Sequence, residues 1–244
     1  MNPKPTPSTL QVSPQSRGKR LSTSTRMALI TIPAVALVFL ILILVSASNQ
    51  SAERDRVAAT VEPGTPQRVV AANSHVVDDA GEGAPTLVEF LDFECEACGA
   101  LYPVIEEIRK QYDGDINFVV RYFPIAGHLN SMNAAVAVEA AAQQNKFEEM
   151  YQKMLSTQNE WGEKKESEAP RFRAYAEQLG LDMQAFDAAV SDPATQARVE
   201  EDLAAGETLG VQGTPTFFLE GNLLQPTQIS DITDALDQAI ASRN

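Results

Sequence analysis

The sequence contains very little cysteine and histidine. Its only cysteines, Cys95 and Cys98, are three positions apart in a chain of 244 residues. A secreted scaffold held together by disulfides has more cysteines at wider spacings, so that class of protein is excluded. The two histidines, His75 and His128, lack the spacing from the cysteines that zinc fingers have, and we expect no metal site. A chain of this length can instead be stabilised by a buried hydrophobic core.

Acidic residues are missing from the N-terminal end of the chain. The first one is Glu53, whereas five lysines and arginines precede the long apolar run. The whole chain has a net charge of −14, and the part after this basic leader has 14 basic and 33 acidic residues, or −19. A surface of that charge repels phosphate backbones, so we expect no nucleic-acid partner.

Charge is also absent from residues 27–47, a run that would span about 30 Å as a helix. It predicts one transmembrane anchor. Basic residues flank it only on the N-terminal side, which predicts a single-pass cell-membrane protein with a cytoplasmic N-terminus and an extracytoplasmic catalytic domain. A cleaved signal peptide is the alternative, since residues 45–47 would suit cleavage, but the run is longer than the apolar region of signal peptides.

Composition and periodicity divide the rest of the chain. Residues 1–26, rich in serine, threonine, proline and basic side chains, are predicted to be a disordered cytoplasmic tail. Residues 48–80 are polar and small, and are predicted to be a stalk. Residues 81–244 show the order β–α–β, several helices, then β–β–α, which predicts an α/β domain. Its helical insertion is expected at about residues 129–205.

Cys95 and Cys98 lie where a predicted strand gives way to a predicted helix. Residues three apart on a helix are neighbours, so the two sulfurs can form a bond. The N-terminus of a helix stabilises a thiolate, which is the attacking species in disulfide exchange. Two alternatives remain. A static disulfide closing so short a loop would contribute only about 2 kcal/mol, and half of a metal site would lack suitable partners.

The segment FLDFECEAC at residues 90–98, followed much later by Gly213-Thr214-Pro215, resembles the DsbA-like branch of the thioredoxin superfamily. The resemblance covers about residues 80–244. It implies a thioredoxin-like fold with a helical insertion, and no cofactor besides a redox-active Cys95–Cys98 disulfide. It also implies a cis peptide bond before Pro215 facing that disulfide, where the backbone at Thr214 binds an extended substrate segment.

The resemblance further implies that Glu89 lies beneath Cys98 and handles its proton. Burial would raise the pKa of this carboxyl group and let it act as a base near neutral pH. The alternative is that Glu89 is a solvent-facing strand residue or forms a structural pair with a cation. Pro103 is expected to lie within the active-site helix at a kink. His128 is interpreted as a surface or capping residue.

The dipeptide between the cysteines, Glu96-Ala97, tunes the site in this interpretation. Family members that are strong oxidants have a histidine there, whereas Glu96, with Glu94 nearby, opposes ionisation of Cys95. We therefore expect a higher Cys95 pKa and a weaker oxidant than in those members.

These features predict an extracytoplasmic thiol–disulfide oxidoreductase that donates the Cys95–Cys98 disulfide to exported protein thiols. The resemblance implies a quinone-linked membrane partner that restores the disulfide. A disulfide reductase would use the same residues, and a non-catalytic module that binds extended peptides is a third possibility.

Overall fold

The computed structural model describes residues 69–243. The predicted cytoplasmic tail, the predicted anchor at residues 27–47 and most of the predicted stalk lie outside these described residues. Between residues 69 and 243, no helix is long and apolar enough to cross a membrane.

From residue 86 onward, the strands and helices follow the order that the sequence predicted. The strands are β1 (His75–Asp78), β2 (Thr86–Leu91), β3 (Asn117–Tyr122), β4 (Thr216–Leu219) and β5 (Asn222–Leu224). The helices are α1 (Glu96–Gln111), α2 (Ser131–Ala142), α3 (Phe147–Ser156), α4 (Gln158–Trp161), α5 (Ala169–Gln178), α6 (Met183–Ser191), α7 (Pro193–Thr208) and α8 (Ile229–Ala241).

The five strands form one mixed sheet in the order β1–β3–β2–β4–β5. Strands β2 and β3 run parallel and are joined by α1, as the sequence predicted. The three other neighbouring pairs are antiparallel. Four residues, the last of them Cys95, separate the end of central strand β2 from the start of α1, which contains Cys98.

The predicted stalk extended too far along the chain. Residues 75–78, which it included, form β1 and pair with β3 at the edge of the sheet. Val69, also within the predicted stalk, is buried in the hydrophobic core. This short strand was missed because its sequence, HVVD, is too brief and too polar at its ends to show a clear alternating pattern.

The two faces of the sheet carry separate hydrophobic cores. Along β2, Leu87 and Leu91 belong to the larger core, which also contains both cysteines, whereas Val88 and Phe90 belong to the smaller core on the opposite face. Because side chains alternate along a strand, Glu89 points to the same face as Leu87 and Leu91. Only 3% of Glu89 is exposed, so its carboxyl group lies inside the larger core.

Helices α2–α7 lie between β3 and β4, where the insertion was predicted. A buried ion pair fixes the last of them to the sheet: Arg121 on β3 donates from Nε to Asp202 Oδ1 on α7 at 2.8 Å. Gly206 makes this approach possible, because a Cβ there would stand 2.7 Å from the Phe123 ring. The insertion is therefore packed closely against the sheet.

Candidate active site

Cys95 is the N-cap residue of α1 and Cys98 lies in the first turn of that helix. The Cys95 backbone is extended (φ −65°, ψ 120°), and its carbonyl accepts the first helical hydrogen bond from the Gly99 N–H at 3.1 Å. Both cysteines are free thiols in the structure. Cys95 is 8% exposed and Cys98 only 2%, so Cys95 is the more accessible sulfur.

The loop that precedes β4 lies against Cys95. The Cys95 thiol donates to the Thr214 carbonyl at 3.3 Å, although the two residues are 119 positions apart. The Thr214–Pro215 peptide bond is cis, as the resemblance implied. Beside this loop runs a groove of about 550 Å³, with Leu101 of α1 and Leu223 and Ile229 among its apolar lining.

The surroundings of Cys95 stabilise its thiolate. A hydrogen bond from Cys98 lowers the pKa of Cys95 most, burial opposes this, and further hydrogen bonds from the Thr214 hydroxyl and the N–H groups of Cys98 and Ala97 lower the pKa to about 5.

The surroundings of Cys98 instead favour its neutral thiol. Burial raises the pKa of Cys98 well above its usual value, and the neighbouring Cys95 and Glu89 raise it further. Burial also raises the pKa of Glu89 to about 8, with Glu106 adding to the shift and Arg109 opposing it. The carboxyl group predicted beneath Cys98 is therefore buried, acts electrostatically on Cys98 and titrates near neutral pH.

The two acidic residues beside Cys95 have different surroundings. Glu96 and Ala97 are both exposed at the surface. The side chain of Glu94 turns inward instead, where Oε2 accepts from the Asn130 N–H at 2.5 Å. Neither Glu94 nor Glu96 is among the main causes of the Cys95 shift. The expected comparison with stronger oxidants stays a prediction.

Asp92 is a structural residue that the sequence interpretation missed. It is 1% exposed, and its two carboxylate oxygens accept four hydrogen bonds. The donors are the Glu94 N–H (2.9 Å), the Ser131 hydroxyl (2.7 Å), the Ile125 N–H (3.1 Å) and the His128 Nδ1 (2.6 Å). Its own backbone carbonyl accepts from the Cys95 N–H at 3.1 Å. Asp92 thus connects residues 92–95, which precede α1, with the segment between β3 and α2 through hydrogen bonds.

His128 is consequently part of the site's support rather than a free surface residue. Burial lowers the pKa of His128, but its hydrogen bond to Asp92 and the charges of Glu94 and Glu163 raise it above the usual value overall. Pro103 lies inside α1 as expected. Across residues 69–243, no three side chains of the metal-binding types come together.

Comparisons with known proteins agree with this geometry. A family model described as thioredoxin matches residues 47–238, more than half of the chain. A thioredoxin-like oxidoreductase from Silicibacter pomeroyi is 27% identical, with a TM-score of 0.60, covering 71% of this chain and 95% of that one.

Two further solved structures have the same fold at lower identity. Alpha-DsbA1 from Wolbachia pipientis is 17% identical, with a TM-score of 0.63, covering 71% of this chain and 94% of that one. BdbD from Bacillus subtilis is 16% identical, with a TM-score of 0.62, covering 74% and 98%. They confirm the thioredoxin-like α/β fold with a mixed sheet and inserted helices.

Curated relatives match over a smaller share of their own length. A protein named Na(+)/H(+) antiporter NhaA 3 from Salinispora tropica is 36% identical over 163 residues, which are 66% of this chain and 24% of that protein. One from Herminiimonas arsenicoxydans is 37% identical over 140 residues, 21% of its length. The chain therefore spans about a quarter of the curated relatives it matches.

Proposed function

The chain belongs to the thioredoxin family, and from that premise we propose that it is a DsbA-like thiol–disulfide oxidoreductase, which donates disulfides to exported proteins through Cys95 and Cys98. One observation carries the proposal. The more accessible thiol caps a helix, lies 3.3 Å from the Thr214 carbonyl and has a pKa lowered to about 5. A sulfur in these surroundings is an exchange site rather than part of a static core.

The exchange proceeds in two steps. A substrate thiolate attacks Cys95, a bond forms between the two sulfurs, and the Cys95–Cys98 bond breaks with its electron pair leaving on Cys98. A second substrate thiolate then attacks the substrate sulfur of this mixed disulfide and releases Cys95 as a thiolate. The substrate loses two electrons and becomes a disulfide, while the enzyme becomes a dithiol. No cofactor besides the cysteine pair is needed.

Glu89 supplies the proton that the first step requires. The leaving Cys98 sulfur takes up a proton at neutral pH, because its pKa lies well above the usual value. With a pKa of about 8, Glu89 is mostly protonated at pH 7 and can donate. In the reverse direction, when the disulfide is restored, the ionised carboxylate takes the proton back.

The direction of exchange follows from the stability of the two forms. A thiolate that is stabilised at neutral pH favours the reduced enzyme, so the disulfide tends to be passed to a substrate. The low pKa of Cys95 supports a donor over a reductase. Extended substrate segments would lie in the groove beside Thr214, where Leu223 and Ile229 offer apolar contacts.

We propose that this activity takes place outside the cytoplasm, beside the membrane. The charge-free run at residues 27–47 and the basic residues before it support a membrane anchor with an extracytoplasmic catalytic domain. Anchoring would raise the local concentration of a quinone-linked membrane partner that restores the disulfide. The proposed activity does not include ion transport, which is named for whole proteins of which this chain matches about a quarter.

Exchange is tested with the full chain purified in detergent and fully oxidised. Mixed with a reduced peptide containing two cysteines, it should convert the peptide to a product lighter by two hydrogens, as measured by mass spectrometry. The Cys98→Ser variant, first linked at Cys95 to a small disulfide reagent, should form a stable mixed disulfide with a matched peptide that has a single cysteine, because neither partner then has a second thiol to resolve it. Equal behaviour of wild type and Cys95→Ser would instead favour a non-catalytic peptide-binding module.

Direction and location are tested in cells. Thiol trapping should find Cys95 and Cys98 mostly oxidised if the protein is a donor, whereas a mostly reduced pair would indicate a reductase. After brief reduction, a membrane-impermeant maleimide should label Cys95 in intact cells. Labelling only after lysis would contradict the extracytoplasmic location.

A further inference from the structure

The side-chain amide of Gln158 lies directly behind the cysteine loop. Gln158 begins α4 in the helical insertion, and it is buried. Its Nε2 donates to the Phe93 carbonyl at 2.8 Å and to the Cys95 carbonyl at 2.7 Å. Both hydrogens of this amide nitrogen are therefore donated to backbone carbonyls around the reactive cysteine. Gln158 and Cys95 are 63 positions apart in the sequence.

Gly99 leaves the space that this amide occupies. A Cβ on Gly99 would stand 1.9 Å from Gln158 Oε1 and 2.5 Å from its Cδ, far inside contact distance. Glycine costs helix stability relative to alanine, and Gly99 lies within α1 with no left-handed backbone angle to explain it. The Gln158 amide packed against Gly99 explains why this helical position has no side chain.

Together these contacts hold the Cys95–Glu96 peptide group from two sides. Its carbonyl accepts from Gln158 and, along the helix, from the Gly99 N–H at 3.1 Å. The orientation of this peptide group determines where the following N–H groups of the first turn point. The N–H groups of Ala97 and Cys98 are hydrogen-bond donors to the Cys95 sulfur.

We propose that Gln158 is a positioning residue for thiol–disulfide exchange: its amide fixes the Cys95 carbonyl and thereby aims the first-turn N–H groups at the Cys95 sulfur. This inference rests on the proposed function of the same site. It assigns to the helical insertion a direct part in setting the reactivity of Cys95, beyond covering the core.

The first test removes the amide while keeping the size of the side chain. In Gln158→Leu, the equilibrium constant for oxidation of glutathione should fall about tenfold, or about 30 mV in this two-electron couple. The pH midpoint for alkylation of Cys95 should rise with it. The matched control is Gln143→Leu: Gln143 directly follows α2 in the insertion, and its amide donates to the Thr195 hydroxyl on α7 at 3.0 Å. This control should keep the wild-type equilibrium constant and midpoint.

A second test uses the contact between the amide and the glycine. Gly99→Ala should displace the amide and lower the equilibrium constant about as much as Gln158→Leu does. In a Gln158→Ala background the added methyl group meets no amide. There Gly99→Ala should leave the equilibrium constant unchanged and raise the melting temperature, because alanine favours a helix. The comparison of Gln158→Ala with the double variant remains available if Gln158→Leu does not fold.

Equal equilibrium constants and equal alkylation midpoints for wild type and Gln158→Leu would overturn the inference. Additive effects of Gly99→Ala and Gln158→Ala would overturn it as well, since two residues acting through one contact are not independent. A wild-type protein that exchanges no disulfide would refute the proposed function instead. Disulfide exchange by the wild-type protein is therefore measured before any variant is compared with it.

Discussion

Replacing Glu89 by glutamine should change how the stability of the protein depends on pH. Burial raises the pKa of Glu89 from 4.5 to about 8, so the folded state holds a proton that the unfolded state has lost between these values. Stability then falls as the pH rises through this interval. At about 1.4 kcal/mol for each tenfold change in proton affinity, the whole interval corresponds to about 5 kcal/mol. Glutamine cannot ionise, so the variant should lose this dependence.

The assay is urea unfolding of the disulfide form at a series of pH values. None of the main causes of the Glu89 shift is a cysteine, so the shift persists when the disulfide has formed. The variant and wild type should be similar near pH 4.5, and the variant should be more stable by several kcal/mol at pH 8 and above. Parallel curves for the two proteins from pH 4.5 to 8 would refute the buried, neutral carboxyl group.

Glu139→Gln is a matched control with the opposite sign. Glu139 is also buried, but although burial raises its pKa, the hydrogen bond with His75 and nearby positive charges lower it overall. Its contribution to stability is present above pH 4.5 and is lost as the pH falls through the lowered pKa. The cost of this substitution should therefore shrink in acid, whereas the gain from Glu89→Gln grows toward alkaline pH.

Two further predictions concern the support of the site. His128→Ala should cost about 1–2 kcal/mol through loss of the hydrogen bond to Asp92. Because the pKa of His128 is raised in the folded protein, the whole cost should be present below pH 6.5 and should decrease as the pH rises through the pKa of the folded state. A cost that does not vary with pH in urea unfolding would show that His128 is not a charged partner of Asp92. Asp202→Asn should cost about 3–5 kcal/mol, because it removes the buried carboxylate that pairs with Arg121, whereas Asp187→Asn in the exposed pair with Arg173 should change little. Equal melting temperatures for these two variants would show that the buried pair does not fix α7 to the sheet.

Local sequence signals predicted much of the fold. The apolar run of β2 and the turn before β5 follow from side-chain type alone. So does the start of α7, where Asp192 accepts from the Ala194 N–H at 2.9 Å and proline follows in the first turn. The cysteine pair was recognisable for the same reason, since its chemistry depends on a short spacing at a helix N-terminus.

The support of the site could not be predicted in this way. Asp92 and Gln158 act through hydrogen bonds to segments 33 or more positions away, and no local pattern shows which segments meet. Glu94 was expected to oppose ionisation of Cys95 together with Glu96, and no local pattern showed that its side chain accepts a hydrogen bond from the Asn130 N–H, in the loop before α2. Such contacts become visible only when the insertion is placed against the sheet.

The pH dependence of Cys95 alkylation tests the central claim most directly. The reduced full chain is treated with iodoacetamide from pH 3 to 10, and the rates of labelling at Cys95 and Cys98 are measured separately by mass spectrometry. We expect the Cys95 rate to rise with a midpoint near pH 5 and Cys98 to remain almost unlabelled through neutral pH. A Cys95 midpoint at the ordinary thiol value of about 8.5, or similar rates for both cysteines, would contradict the account.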